Sequence, residues 1–203
     1  MDLTESGIKR ILYDNDTLIK NALQPYGYFN PTITHGCKQM EQNDWQLSYK
    51  ITLGPAMRLS QVRVKIKGDG SDNPAMRRWR KAFPLKVGDV FINTTYDEGK
   101  QSFFSVANKK GYIHAKLVKH SVTIDLNSYT ASLKLMYDTG PQYFYGRISL
   151  QKTELNDSFL RKFLQIEQGE AYSIPRLLTA QRNLSNSGYF SDVNIKQGKA
   201  KSA

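Results

Sequence analysis

Only one cysteine, Cys37, occurs in 203 residues, so no disulfide can form within the chain. Histidine is nearly as scarce: His35, His114 and His120 are the whole supply. No run approaches the roughly 18 consecutive apolar residues that a membrane-spanning helix needs. The first residues lack the basic and apolar stretches of a secretory signal, although a chain starting after a removed signal would read the same. Gly-x-Ser-x-Gly, His-Glu-x-x-His and glycine-rich phosphate loops are also missing. A catalytic or phosphate-binding reading thus has no motif to rest on. The expectation is a non-enzymatic protein with no catalytic residue, no metal and no cofactor.

The two weaker chemical candidates resolve in the same direction. His114 and His120 are six apart, which in a strand would put them on one face, but a metal site needs a third ligand that the sequence does not offer. Cys37 lies near His35 at a strand end without a recognisable third group to orient a reactive thiol.

Charge is present in excess. Lys and Arg number 29 against 18 Asp and Glu, a net +11, which raises anionic membrane and nucleic acid as partners. The excess is spread evenly: +3 over residues 1–67, +4 over 68–140 and +4 over 141–203. Its densest patch is Arg77, Arg78, Arg80, Lys81 and Lys86 around Trp79, which reads as a solvated helix face with the indole turned to a core.

An internal repeat organises the chain. Gly27-Tyr28-Phe29, Gly111-Tyr112-Ile113 and Gly188-Tyr189-Phe190 recur at separations of 84 and 77 residues. Gly54-Pro55 precedes Leu59, Val62 and Val64, and Gly140-Pro141 precedes Tyr145, Ile148 and Leu150 at the same offsets. The run Leu85 to Phe91, with Gly88-Asp89, has its counterpart in Leu164 to Tyr172, with Gly169-Glu170.

Periodicity turns these elements into structure. Val62, Val64 and Ile66 alternate with Arg63, Lys65 and Lys67, the signature of a strand buried on one face. Ile148 and Leu150 repeat it. Over 94–110, Tyr96, Phe103, Phe104 and Val106 fit one helical face that Gly111 terminates. Over 175–187, Leu177, Leu178, Ala180 and Leu184 form the stripe, with Pro175 in the first turn and Gly188 as the stop. Hairpins are expected over 113–137 and over 32–53. The expected fold class is α+β, in tandem β-α-α-β-β modules that each pair a small three-stranded mixed sheet with two helices. Residues 1–55 hold helix, helix, strand, strand and lack an opening strand. Residues 56–140 are complete. Residues 141–197 hold strand, helix, helix and one strand without a closing strand, and 198–203 read as a tail. The chain is therefore expected to be cut at both ends. The Gly-Tyr aromatics are expected to enter the core rather than to serve as binding anchors.

Such a unit, with its Gly-Tyr-Phe and Gly-Pro marks, resembles the polypeptide-transport-associated (POTRA) domains. Ala22-Leu23-Gln24-Pro25-Tyr26-Gly27-Tyr28-Phe29, Tyr96-Asp97-Glu98-Gly99-Lys100 ahead of Gly111-Tyr112, and Asp138 to Gly146 look most like those of the translocation and assembly subunits, the TamA group of the BamA superfamily. The resemblance runs from about Gly7 to Lys196. It implies a periplasmic location in a Gram-negative bacterium, three POTRA modules preceding the protein's own outer-membrane β-barrel, and a large TamB-like inner-membrane-anchored partner contacted by the first module. Unfolded outer-membrane or autotransporter clients are implied as well.

A small sheet has edges whose unpaired N–H and C=O groups can pair with an extended segment, an arrangement suited to recognition by strand addition. In POTRA domains the second strand is such an edge. The resemblance therefore points to Thr32, Ile33 and Thr34 in the first unit and to Ala115, Lys116, Leu117, Val118 and Lys119 in the second. The matching strand of the third is Asp192, Val193, Asn194 and Ile195. Two other readings compete: a basic module contacting anionic lipid head groups, and a nucleic-acid-binding repeat protein using Tyr143, Phe144 and Tyr145. The latter has no RRM or helix-turn-helix signature.

Overall fold

The structure is a computed structural model that describes residues 5–40, 44–149, 155–190, 192–196 and 198. The chain is a mixed α+β protein of five helices and five strands among these residues: α1 (Glu5–Leu23), β1 (Thr32–Gln39), β2 (Trp45–Thr52), β3 (Arg58–Lys67), α2 (Pro74–Lys81), α3 (Asn93–Lys109), β4 (Lys116–Asp125), β5 (Thr130–Asp138), α4 (Asp157–Leu164) and α5 (Ile174–Ser185). The Cα trace groups into two compact units. One comprises Met1–Arg63, Phe83–Lys100 and His120–Leu135, the other Val64–Ala82, Gln101–Lys119 and Met136–Ala203.

In the first unit, Ile8 and Leu12 are buried one turn apart on α1, the spacing that places two side chains on one helix face. The sequence reading expected two helices before the first hairpin; the structure has one α-helix followed by a single 3-10 turn, Gln24–Tyr26. No glycine or proline interrupts Ile8 to Leu23, and Pro25 is the first residue that forces a change. Gly27 then takes φ +89, where its N–H meets Gln24 O at 2.9 Å and the Tyr28 N–H meets Leu23 O at 3.3 Å. β1 and β2 pair antiparallel from Thr32 opposite Thr52 to Gln39 opposite Trp45. The helix is tied to this hairpin by Asn15 Nδ2, which donates to the Tyr49 hydroxyl at 2.8 Å.

β3, β5 and β4 form the three-stranded sheet in that order. The closing strand β5 is thus the central one. Its alternate residues Ala131, Leu133, Leu135 and Tyr137 are all at most 2 % exposed, as a strand with one face on a core requires. Against this face Trp79 meets Phe103 and Tyr137 edge-on at 4.9 and 5.3 Å, and its indole N–H donates to Ser102 Oγ at 2.8 Å. Trp79 is buried while Arg77, Arg78, Arg80 and Lys81 are exposed, as the amphipathic reading of α2 required. Asn73 caps that helix by accepting from Ala75 N–H, and Pro74 follows it. On α3 the buried hydrophobic side chains are Tyr96, Phe103 and Ala107, spaced by seven and four, and Gly99 is buried between them; the expected Phe104 and Val106 are only half-buried.

In the second unit, α4 and α5 enclose a core of Tyr145, Leu160, Leu164, Ile166, Ala180 and Leu184. Leu178, placed on the buried stripe by the sequence reading, is 52 % exposed; Leu177, Ala180 and Leu184 define the inward face. Neither expected strand of this third module is present among the described residues. Residues 144 and 171 make one isolated bridge, and 192–196 belong to no strand; Leu150 lies outside the described residues.

Candidate docking edges

The sheet order puts β4 at an edge of the three-stranded sheet, and β1 has β2 on one side only. Every residue of β1 is exposed except Ile33, which is half-buried opposite Ile51. Thr34 Oγ1 donates to Lys50 O at 3.4 Å. Of the second set, Lys116, Val118 and Lys119 are exposed and Leu117 is half-buried within β4. Ala115 lies one residue ahead of that strand in a turn, where its N–H donates to Tyr112 O at 3.2 Å. The third set corrects the expectation: Asp192, Val193, Asn194 and Ile195 form no strand, and Val193 instead packs partly on the α4–α5 core while its carbonyl accepts from Gln181 Nε2 at 3.0 Å.

β4 is held in register by its turn. Asp125 Oδ1 accepts from Asn127 N–H at 2.9 Å and Ser128 N–H at 3.4 Å, while Oδ2 accepts from the Ser128 hydroxyl at 2.7 Å. These bonds, led by that hydroxyl, hold the Asp125 carboxyl below its ordinary range. At the far end of β5, Asp138 is lowered chiefly by the Gly140 N–H and further by Lys67, whose Nζ stands 3.3 Å away.

The other chemical candidates disperse. His114 stacks edge-on against Tyr143 at 5.3 Å and precedes β4, so only His120 is in the strand and the two do not share a strand face. Cys37 is exposed opposite Leu47. His35 Nδ1 lies 3.8 Å from Asp16 Oδ1. No group of three His, Cys, Asp or Glu side chains among the described residues is placed to hold a metal.

Comparison with known proteins decides the family. Residues 2–53 match a family described as "POTRA domain TamA domain 1", and residues 143–202 match POTRA, described as "Surface antigen variable number repeat". The chain belongs to the POTRA domains of the BamA/TamA superfamily. POTRA domains of this superfamily are the periplasmic parts of outer-membrane proteins, and the chain takes that location; none of its described helices is long and apolar enough to cross a membrane. Over 199 residues it is 22 % identical to "Outer membrane protein assembly factor BamA" of Neorickettsia risticii (strain Illinois), covering 94 % of this chain and 25 % of that protein. It thus spans about a quarter of that relative's length. The crystal structure of BamA from Haemophilus ducreyi lacking POTRA domains 1–3 aligns at TM-score 0.53 and 19 % identity, over 71 % of this chain and 26 % of that one. The BamA POTRA3–5 structure from Haemophilus influenzae aligns at TM-score 0.47 and 18 % identity, over 91 % and 72 %.

The main-chain contacts around the recurring Gly-Tyr, Gly-Pro and Gly-acid elements were missed as sites by the sequence reading, although the elements themselves were legible in it. In the first set, Gly27 O accepts from Met57 N–H at 2.8 Å, Phe91 N–H donates to Met57 O at 2.8 Å, Leu59 N–H to Asp89 O at 2.8 Å and Gly88 N–H to Leu59 O at 2.7 Å. In the second set, Gly111 O accepts from Tyr143 N–H, Tyr172 N–H donates to Tyr143 O, Tyr145 N–H to Glu170 O and Gly169 N–H to Tyr145 O, all at 2.8 Å. The acidic residue of each Gly-acid pair also closes its own turn: Asp89 Oδ2 accepts from Lys86 N–H and Glu170 Oε2 from Glu167 N–H.

Proposed function

We propose that the chain is a docking arm of three POTRA modules, 1–55, 56–140 and 141–197 with a tail to 203, in an outer-membrane assembly subunit of the TamA kind. It binds a TamB-like inner-membrane-anchored protein and extended outer-membrane or autotransporter clients by strand addition. The observation that carries this reading is the edge position of β4 beside the central β5, because an edge offers unpaired main-chain donors and acceptors with little sequence demand. β1, in the region that matches the first TamA domain, offers a second edge. Asp192 to Ile195 form no strand, so the docking reading rests on Thr32, Ile33 and Thr34 and on Lys116 through Lys119. The Lys116 edge is fixed by the Asp125 turn, which gives an incoming strand a preformed template.

The test is a pull-down of the chain with the periplasmic part of the TamB-like protein and with an unfolded outer-membrane client. Successive N–H groups along a strand point to opposite sides, so Ile33→Pro and Thr34→Pro remove one inward and one outward donor, as do Leu117→Pro and Val118→Pro. The outward variant of each pair is expected to keep the circular dichroism spectrum and lose capture. Capture undiminished by all four substitutions overturns the reading.

The exposed Arg77, Arg78 and Arg80 of α2 favour a second, compatible contact with anionic lipid head groups. Co-sedimentation with anionic but not zwitterionic vesicles, abolished at high salt, is its expected sign; sedimentation indifferent to lipid charge rules it out.

A further inference from the structure

Ile8, Leu12, Ile19 and Leu23 form the inward stripe of α1, each buried or half-buried, and two polar residues, Asn15 and Asp16, stand half-buried in its middle. Polar side chains in such a stripe cost free energy unless a partner meets them. The surface that meets them is the β1–β2 hairpin, in whose ladder His35 and Tyr49 lie directly opposite each other with their rings 6.3 Å apart. Asn15 is matched there by the Tyr49 hydroxyl at 2.8 Å. Asp16 is not: its Oδ1 is buried without a hydrogen bond among the described residues, and His35 Nδ1, at 3.8 Å, stands just beyond hydrogen-bonding distance.

The chemistry of the imidazole shows what closes that gap. A neutral ring has one N–H and one bare nitrogen, whereas a protonated ring has an N–H on both, so a charged donor then faces Asp16. A charged donor on a carboxylate makes a shorter and stronger bond than a neutral one. The other titratable groups around the ring are Tyr49 from β2 and Cys37, two residues along its own strand. Lys38 and Lys50 alternate to the opposite face of the hairpin, and Lys20, one turn beyond Asp16 on α1, is exposed. Asp16 is therefore the anion that His35 meets.

We infer that Asp16 and His35 are an acid-closed latch between α1 and the hairpin: protonated His35 donates its Nδ1–H to Asp16 Oδ1, and loss of that proton opens the bond. The bond needs a charged imidazole and an ionised carboxylate together. It therefore strengthens the helix–hairpin contact in mild acid, at about pH 5.5, and that contribution is gone by about pH 8, because histidine gives up its charge between about pH 5 and 8. Since Thr32, Ile33 and Thr34 lie on the same strand as His35, the latch governs how firmly that edge is held. It does not depend on strand addition at β1, and either can fail without the other.

The test is amide hydrogen exchange of the whole chain, read by mass spectrometry at about pH 5.5 and pH 8 and expressed as protection over the intrinsic exchange rate at each pH. Peptides from α1 and β1 are expected to be about threefold better protected at the lower pH, the size of a partly exposed ion pair. His35→Gln and Asp16→Asn are each expected to remove that difference, while α3, which carries no histidine, keeps its protection and reports an intact fold. Asn15→Ala breaks the neighbouring bond to Tyr49, and is expected to lower protection at both pH values and leave the difference in place. Protection of α1 and β1 that is the same at both pH values, or a difference that survives both His35→Gln and Asp16→Asn, overturns the inference.

Discussion

Residues 58–138 and residues 143–196 each hold a pair of helices, yet among the described residues only the first stretch builds a sheet. Their helices differ little: α2 and α4 are capped by Asn73 and Asn156 and α5 by Ser173, and α4 and α5 pack on a core of their own. The first stretch has β5 at the centre of its sheet. A central strand gives ladder partners to two neighbours at once and contributes four buried residues to the core, whereas β1 and β2 each pair on one side only. One secondary-structure element therefore counts for more or less according to its place in the sheet, not its length or its propensity.

The comparison is sharpest at the core. Leu133→Ala removes a fully buried side chain of the central strand and is expected to cost about 2–5 kcal/mol in urea unfolding. Ile148→Ala, in the half-buried position of the third module, is expected to cost under about 1 kcal/mol. Equal losses would mean that the two regions are packed alike. The glycines provide the next contrast. Gly111→Ala meets both a left-handed backbone and the Tyr143 carbonyl, for an expected loss of about 2 kcal/mol or more, while Gly188→Ala meets the backbone term alone, about 1 kcal/mol. A thermal melt of the two variants reads the difference directly.

Acid probes both regions through carboxylates that hydrogen bonds hold low. Asp125 and Asp138 lie at the ends of the β4–β5 hairpin, and Glu170 is held down first by the Glu167 N–H and then by Arg176. A carboxyl whose folded pKa is depressed stabilises the fold above its unfolded value and loses that contribution as pH falls through the folded one. Melting temperature is thus expected to decline as pH drops below about 4. Asp138→Asn flattens the decline of the middle sheet, and Glu170→Gln that of the Glu167–Glu170 turn. A decline that neither variant alters would place the acid-sensitive groups elsewhere. The smallest effect is reserved for α2: Arg78→Gln, on an exposed face, is expected to shift stability by no more than about 0.5 kcal/mol.

Much of this was legible in the residues. Pro175 and the glycines at 111 and 188 mark a helix start and two stops through the conformations of their own backbone, so their meaning is carried locally. The alternation of Val62, Val64 and Ile66 announced β3 for the same reason. Leu178 and Phe104 were misplaced because a helical stripe wide enough for two neighbours does not say which of them the core will take. The candidate edges were half legible: Lys116 to Lys119 fell on β4 as expected, while Asp192 to Ile195 had the composition of a strand and join no ladder among the described residues.

By itself the sequence determined the repeat, the order of helices and strands in the middle module and the turns at which each element ends, since these depend on periodicity and on turn chemistry within a few residues. Tertiary structure alone decided that β5 is central, that β4 is an edge, and that Gly27 is pressed against Phe91 and Gly111 against Tyr143. Those properties belong to pairs of segments some 30 to 80 residues apart, and a strand's partner or a glycine's neighbour exists only once the chain has closed those distances.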